Sequence, residues 1–243
     1  ISKNLRNQRE KIKHMKTIGL IGGTTWHSSA EYYKIINQLI NQKLGGNHSA
    51  ECILYSLNFE KIYSWMMDEE WDKIAKKLIK TSIKLEASGA DCILICANTL
   101  HIIADLVEES VGIPLINICF CTAEKIAQDG INKVALLGTK FTMEQDFFKE
   151  KLATNSILTL IPDEHKRNFI NNAIINELGH GIIKTETKAA FIKIINNLKA
   201  KGAKGIILGC TEIPLLIQQT DFDIPIYDTT FIHASSAVDF ALF

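Results

Sequence analysis

The stretch GADCILICANT, residues 89–99, has a counterpart, GAKGIILGCTE, at residues 202–212, and this match indicates the fold. Each stretch consists of a Gly-Ala turn, an apolar run typical of a buried strand, and a polar end. When the two Gly-Ala pairs are superimposed, Ala97 aligns with Cys210. The two halves of the chain therefore carry matching strands that end in polar residues.

The segments around these strands repeat in the same order. The apolar run IGLIGG, residues 18–23, lies upstream of the first stretch, and VALLGT, residues 134–139, lies upstream of the second. Segments with helical periodicity separate the strands, and an Ile-Pro strand follows each stretch. Matches in the same order indicate an internal duplication, and alternating strands and helices favour parallel sheets. We predict two similar α/β domains, related by a pseudo-twofold axis, that face each other across a cleft.

The domain boundaries follow from this repeat. We predict a first α/β domain at residues 15–117 plus 225–243 and a second at residues 118–224. Residues 1–14 are polar and basic, lack the apolar run of a signal peptide, and are predicted to be an N-terminal extension. Ser28, followed three residues later by Glu31, is typical of a capping box at the start of the first helix.

The composition excludes several classes of function. The chain has 243 residues, with 27 basic and 27 acidic side chains, so its charge provides no reason to expect nucleic acid or an anionic membrane as partner. Its apolar runs are too short to span a bilayer. The six cysteines form no CxxC pair and show no spacing typical of a zinc site. We therefore expect reduced thiols, no metal and a cytoplasmic location.

Four polar segments follow predicted strands. Ligands of parallel α/β proteins bind beyond the carboxyl ends of the strands. The predicted cleft would therefore gather the segments GGTT (22–25), ANTLH (97–101), GTKFT (138–142) and GCTE (209–212). Asn98 and Thr99 are also suited to capping the helix that follows them. The GLIGGTT segment lacks the GxGxxG spacing, so no dinucleotide site is expected.

Two of these segments carry a family resemblance. ILICANTLH (93–101) and IILGCTEIPLL (206–216) resemble the two signatures of the aspartate/glutamate racemase superfamily. GLIGGTTWHSSAEYY (19–33) and LLGTKFTMEQDFF (136–148) are similar to its subgroup of broad-specificity amino-acid racemases and aspartate racemases. The resemblance extends from Met15 nearly to the C terminus.

The resemblance implies a cofactor-independent amino-acid racemase. In this family one cysteine thiolate removes the α-proton, and a cysteine on the opposite face returns a proton. Thiols suit this role because neighbouring donors can adjust their pKa. Hydrogen-bond donors hold the substrate carboxylate without a metal. The resemblance also implies an amino-acid substrate and a homodimer.

The resemblance assigns roles to individual residues. Cys210 matches the second catalytic cysteine. The positions that match substrate-binding ones are Thr24, Thr25, Asn98, Thr99, Thr139, Thr142, Thr211 and Glu212. Within this set, Thr139 and Thr142 match a second anion-binding turn. Glu212, like His101, matches a polar residue that flanks the catalytic pair.

The chain departs from the family pattern at Ala97. Racemases with two cysteines have Cys directly before the Asn-Thr pair, and some broad-specificity members have Thr there. This chain has Ala97 at that position and Cys96 one residue earlier. Neighbouring side chains of a strand point to opposite faces, so Cys96 is expected to point away from the cleft unless a bulge turns it inward.

Three functions remain open. In the first, a racemase uses Cys210 on one face and Cys96, a bound water or another polar group on the other. In the second, the chain is a one-cysteine decarboxylase of the arylmalonate type, which keeps only the second cysteine. In the third, it is a catalytically impaired relative that binds amino acids. No arginine occurs in the polar segments, so the sequence does not indicate which side chain the substrate carries.

Overall fold

The computed structural model describes residues 15–243. The predicted extension at residues 1–14 lies outside the described residues. The chain divides into two compact units. The first consists of the described residues up to Asn117 together with His233–Phe243, and the second is Ile118–Ile232.

The first unit contains a three-stranded parallel sheet. Its strands are β1 (Ile18–Gly22), β2 (Cys52–Ser56) and β3 (Cys92–Ile95), in the order β2-β1-β3. The Ile-Pro strand predicted after β3 is reduced to a single parallel bridge between Leu115 and Ile93.

The second unit contains a four-stranded parallel sheet. Its strands are β4 (Lys133–Gly138), β5 (Leu158–Leu160), β6 (Ile206–Gly209) and β7 (Ile226–Asp228), in the order β5-β4-β6-β7. The first strand in sequence is central in both sheets and is flanked by the second and third. This shared order agrees with the repeat seen in the sequence.

Helices connect the strands, as parallel pairing requires. They are α1 (Trp26–Leu44), α2 (Phe59–Met67), α3 (Trp71–Ala87), α4 (Ala104–Glu108), α5 (Ile118–Gln128), α6 (Lys140–Glu144), α7 (Asp146–Ala153), α8 (Glu164–Asn176), α9 (Thr185–Ala200) and α10 (Thr229–Leu242). Short 3₁₀ helices lie at Thr99–Ile103, Leu178–His180, Ile213–Leu215 and Gln219–Asp221. Within residues 15–243, no helix combines the length and the apolar composition that crossing a bilayer would need.

The core of the first unit forms where β1 and β3 meet α1 and α10. Ile18 and Leu20 of β1 are fully buried against Tyr32 and Ile36 of α1. Ala237 of α10 joins the same cluster. The side chains of Ile18 and Leu20 share one face because strand side chains alternate.

The second sheet is buried on both faces. Ala135 and Leu137 of β4 pack into the cluster that contains residues of α8 and α9. Val134 and Leu136 point the other way and pack with residues of α5 and α7. Strands covered on both faces read as continuous apolar runs, which is the pattern that β4 and β6 show in the sequence.

The prediction of two α/β regions with parallel sheets is confirmed. The predicted return of residues 225–243 to the first domain needs a correction. Ile226–Asp228 forms β7, which pairs with β6 in the second sheet, and only His233–Phe243 belongs to the first unit. The pairing satisfies backbone groups of β6 that would otherwise be left without partners at a buried edge.

The predicted capping box at Ser28 and Glu31 is also corrected. Helix α1 begins at Trp26, and Thr25 is its N-cap, whose hydroxyl accepts a hydrogen bond from the Ser28 N–H at 3.3 Å. The Ser28 hydroxyl instead donates to the carbonyl of Cys96 at 2.8 Å. A tertiary contact has therefore replaced the local capping role of Ser28.

Gly23 is the residue that allows β1 to turn into α1. Its φ of 83° lies in the left-handed region, and an added Cβ would collide with the backbone O and N of Leu57. We expect Gly23→Ala to lower the free energy of unfolding by about 3 kcal/mol, because backbone strain and overpacking add.

The matched control for this variant is Gly45→Ala. Gly45 also has a positive φ, 74°, but nothing lies within 4 Å of an added Cβ. Its replacement should cost only the backbone strain, about 1 kcal/mol. Urea unfolding of both variants checks the difference, and equal losses would show that the contact with Leu57 is unimportant.

Candidate active site

The carboxyl ends of β1 and β3 lie side by side in the first unit. Ile21 pairs with Ile95, so the segments 22–25 and 96–99 leave the same edge of the sheet. The hydrogen bond from the Ser28 hydroxyl to the Cys96 carbonyl joins the two segments. This edge is where ligands of parallel α/β proteins bind.

The turn between β1 and α1 presents donors at this edge. The Gly23 N–H donates to the Ser29 hydroxyl at 2.7 Å, which fixes the turn. Thr24 is nine-tenths buried, and within residues 15–243 its hydroxyl has no hydrogen-bond partner. Thr25 caps α1, a helix of 19 residues. A buried hydroxyl without a partner beside a long helix's N terminus is suited to receive an anionic group.

Asn98 and Thr99 follow β3 and are both buried. The short helix Thr99–Ile103 starts here, and the His101 N–H donates to the Asn98 carbonyl at 3.0 Å. The side chain of Asn98 makes no capping hydrogen bond to that helix. Asn98 therefore occupies the N-cap position without the side-chain hydrogen bond that a cap would make.

Cys96 lies inside the core of the first unit. It is fully buried in the cluster that also contains Cys92 and Leu94, so these alternate residues share one face. Burial raises the pKa of the Cys96 thiol far above its ordinary value. Ala97, the next residue, is half-buried. The position of Cys96 agrees with the side-chain alternation expected from the sequence.

The carboxyl ends of β4 and β6 are neighbours in the second unit, where Gly138 pairs with Gly209. Thr139 follows β4 and is the N-cap of α6, with its hydroxyl accepting from the Thr142 N–H at 3.3 Å. The two threonine hydroxyls also lie 3.1 Å apart. Thr139 and Thr142 therefore form one capped turn at the edge where β6 ends in Cys210.

Cys210 forms a polar cluster with the two residues after it. Its Sγ donates to Oε2 of Glu212 at 2.9 Å, and the Thr211 hydroxyl donates to the same oxygen at 2.7 Å. Burial and the negative charge and hydrogen bond of Glu212 raise the pKa of the Cys210 thiol well above its ordinary value. The backbone N–H groups of Glu212 and Thr211 oppose this shift only in part. Cys210 therefore carries its proton in this arrangement.

Because the Glu212 carboxylate helps to keep the thiol protonated, Glu212→Gln should lower the pKa of Cys210. The expected result is faster alkylation of Cys210 by iodoacetamide at neutral pH, since the thiolate is the nucleophile. Peptide mapping by mass spectrometry measures this rate, with the buried Cys121 of the same sample as reference. An unchanged or slower rate would contradict the assigned role of Glu212.

The structure brings the predicted site residues together within each unit. In the first unit, Thr24, Thr25, Asn98 and Thr99 lie at the shared edge of β1 and β3. In the second, the remaining residues lie at the shared edge of β4 and β6, namely Thr139, Thr142, Cys210, Thr211 and Glu212. Among residues 15–243, no group of three or more His, Cys, Asp or Glu side chains is arranged to hold a metal.

The polar segment after β7 was not predicted from the sequence. Asp228 pairs with Leu208 of β6, and its carboxylate accepts from the Thr230 N–H at 2.9 Å. The Thr229 hydroxyl donates to the Leu208 carbonyl at 2.9 Å. This segment extends the polar edge beside Cys210. An Asp directly before two threonines and an apolar helix is a recognisable N-terminal cap, and it could have been found.

A sequence model of the family described as Asp/Glu/Hydantoin racemase matches residues 21–237 of this chain. The chain is similar to a proposed Asp/Glu racemase from Yersinia pestis, with 44% identity and a TM-score of 0.90, covering 94% of this chain and 100% of that one. It is also similar to an aspartate racemase homologue from Pyrococcus horikoshii OT3, with 36% identity and a TM-score of 0.84, covering 93% and 99%.

A similarity in sequence leads to the same group of proteins. The broad specificity amino-acid racemase RacX of Bacillus subtilis (strain 168) is 25% identical over 169 residues, which are 69% of this chain and 72% of RacX. The polar residues that follow β3 and those that follow β6 both lie inside the residues that the family model matches.

Proposed function

Because the chain belongs to the Asp/Glu/hydantoin racemase family, we propose that it is an amino-acid racemase that uses thiol acid/base chemistry at Cys210. The racemase relatives support an isomerase acting on amino acids. The observation that carries the assignment of Cys210 is its place at the end of β6, with its thiol donating to Glu212. A thiol that donates a hydrogen bond to a carboxylate at a strand end is placed to transfer a proton.

The proposed proton transfer at Cys210 needs no redox step. The thiol gives its proton to the carbanion at the α-carbon, which forms the new C–H bond and leaves the thiolate. In the reverse direction the thiolate takes the α-proton and becomes the thiol. The Glu212 carboxylate keeps the thiol in the protonated form from which the first direction starts, and the same raised pKa makes the thiolate a stronger base in the reverse direction. Before the reverse step, the thiol proton passes to Glu212 along the existing hydrogen bond.

The substrate carboxylate stabilises the carbanion only if donors hold it during the reaction. We assign this role to the hydroxyl of Thr24 and to the N-terminal turn of α1, which Thr25 caps. Asn98 and Thr99, at the neighbouring strand end, belong to the same donor set. The buried hydroxyl of Thr24 supports this assignment because a bound carboxylate would supply its missing partner.

Ala97 leaves the second proton position without a side chain that can ionise. Cys96 is a poor substitute because it is packed in the apolar core and burial raises its pKa. We therefore propose that water or another polar group serves the second face. This arrangement implies rapid exchange of the α-proton with solvent and slower inversion.

The test is chiral analysis of L- and D-amino acids after incubation with the enzyme, starting with aspartate and glutamate and including neutral amino acids. Inversion by the wild type and by Cys96→Ala, but not by Cys210→Ala, is the expected pattern. Loss of activity in Cys96→Ala would show that Cys96 serves the second face of the substrate. No inversion of any amino acid, together with release of carbon dioxide from an arylmalonate, would replace the racemase by a one-cysteine decarboxylase.

A further inference from the structure

Two buried histidines lie behind the carboxyl end of β3 and take no part in the proton transfer proposed above. His101 and His233 are almost fully buried, and their rings meet edge to face with centroids 5.5 Å apart. Tyr32 of α1 is also fully buried and contacts the ring of His233. These three side chains are far apart in sequence and form one polar group within the core of the first unit.

The hydrogen bonds determine where each ring carries its proton. His233 Nε2 lies 2.6 Å from the carbonyl oxygen of Ile116, and a carbonyl can only accept, so Nε2 carries the hydrogen. The neutral ring then accepts at Nδ1, where the Tyr32 hydroxyl lies at 2.8 Å and donates. His101 Nδ1 lies 2.8 Å from the carbonyl oxygen of Ala97, so His101 carries its hydrogen on Nδ1.

The bond from His101 fixes a peptide group at the strand end. The peptide is planar and trans, so the Ala97 carbonyl and the Asn98 N–H point in opposite directions. Holding the carbonyl on the His101 side therefore directs the Asn98 N–H away from the buried histidines. Ser28 holds the preceding carbonyl, that of Cys96, at 2.8 Å. Two successive carbonyls at the end of β3 are thus held by side chains, one from α1 and one from the short helix that follows β3.

We propose that His101 is a positioning residue for the racemase reaction: through its Nδ1–H it orients the Ala97–Asn98 peptide so that the Asn98 N–H donates to the carboxylate of the amino acid. His233 and Tyr32 hold the ring of His101 in the orientation that this bond needs. The inference rests on the proposed function, because the ligand of the Asn98 N–H is the substrate carboxylate. It makes His101 important for substrate binding although His101 exchanges no proton.

Three substitutions of His101 separate a positioning role from simple packing. In His101→Asn the side-chain N–H₂ falls near the place of Nδ1 and can still donate to Ala97, whereas in His101→Gln it falls near Nε2. His101→Leu has no donor. We expect Leu and Gln to raise KM for L-aspartate, or for the amino acid that the enzyme is found to invert, by about 10-fold, the value of one hydrogen bond. Asn should restore KM to within about 3-fold of the wild type. Equal effects of Asn and Gln would overturn the proposal.

A second measurement does not depend on turnover. Side-chain ¹⁵N NMR of the full chain should show His101 as the Nδ1–H tautomer and His233 as the Nε2–H tautomer. The amide signal of Asn98 should shift in the Leu and Gln variants and stay close to the wild type in the Asn variant. An Nε2–H tautomer at His101 would overturn the proposal. If the wild type inverts no amino acid while these signals are as expected, the proposed function fails and the orientation of the peptide stands.

Discussion

Cys210→Ala should reduce the rate of α-proton exchange by about 10²–10⁴-fold, the range that a positioned acid or base contributes. The loss follows from the position of the thiol, which is held at the end of β6 by its hydrogen bond to Glu212. Alanine lacks the thiol, which is the group proposed to exchange the α-proton. The rate is measured from the disappearance of the α-proton signal of the substrate in deuterium oxide.

The matched control is Cys121→Ala. Cys121 is 9% exposed and Cys210 is 8% exposed, so both substitutions remove a thiol of similar burial. Cys121 lies within helix α5 and not at a strand end. Its replacement should leave the exchange rate within about 3-fold of the wild type, whereas equal losses in both variants would indicate damage to the fold and not to the chemistry.

The stability of the first unit should fall when the pH drops from 7 to 5. Burial lowers the pKa of His101 to about 4 and that of His233 to about 3, from an ordinary value of 6.5. Between these values the unfolded chain binds two protons that the folded unit does not bind, so lower pH favours unfolding. The contribution is fully present above pH 6.5. At pH 5 the free energy of unfolding has fallen by about 2 kcal/mol for each histidine, about 4 kcal/mol in total.

Urea unfolding at several pH values, followed by a probe in the first unit, measures this slope. His233→Phe removes one of the two titrating imidazoles, so it should reduce the slope by about half. His165 is exposed, and His165→Gln should leave the slope unchanged. A free energy of unfolding that stays constant between pH 5 and pH 7 would show that the two rings are not buried as neutral groups.

Local patterns in the sequence were sufficient for most of the fold. The runs that became β4 and β6 are buried on both faces, and this burial is what makes them continuous in apolar residues. The alternation of strand side chains also predicted the position of Cys96 relative to Ala97, because Cys92, Leu94 and Cys96 share one cluster. The strand ends that carry Cys210 and Asn98 follow from the same runs.

Features that depend on distant contacts were not predicted. Ser28 reads locally as a helix cap, but its hydroxyl is used by the carbonyl of Cys96, 68 residues away. β7 was assigned to the wrong unit because the sequence does not state which sheet has an open edge. His233 was missed because its partners, Tyr32 and the Ile116 carbonyl, lie 201 and 117 residues away. Periodicity reports the burial of a side chain but not the identity of its partner.

Proton NMR of L- and D-amino acids in deuterium oxide, with chiral analysis of each product, tests most directly whether this chain is an amino-acid racemase. We expect the α-proton signal to disappear for at least one amino acid, both enantiomers to form, and Cys210→Ala to slow both changes by about 10²–10⁴-fold. Exchange should run ahead of inversion, since Ala97 supplies no second thiol. Retention of the α-proton signal for every amino acid tested would contradict the assignment of this chain as an amino-acid racemase.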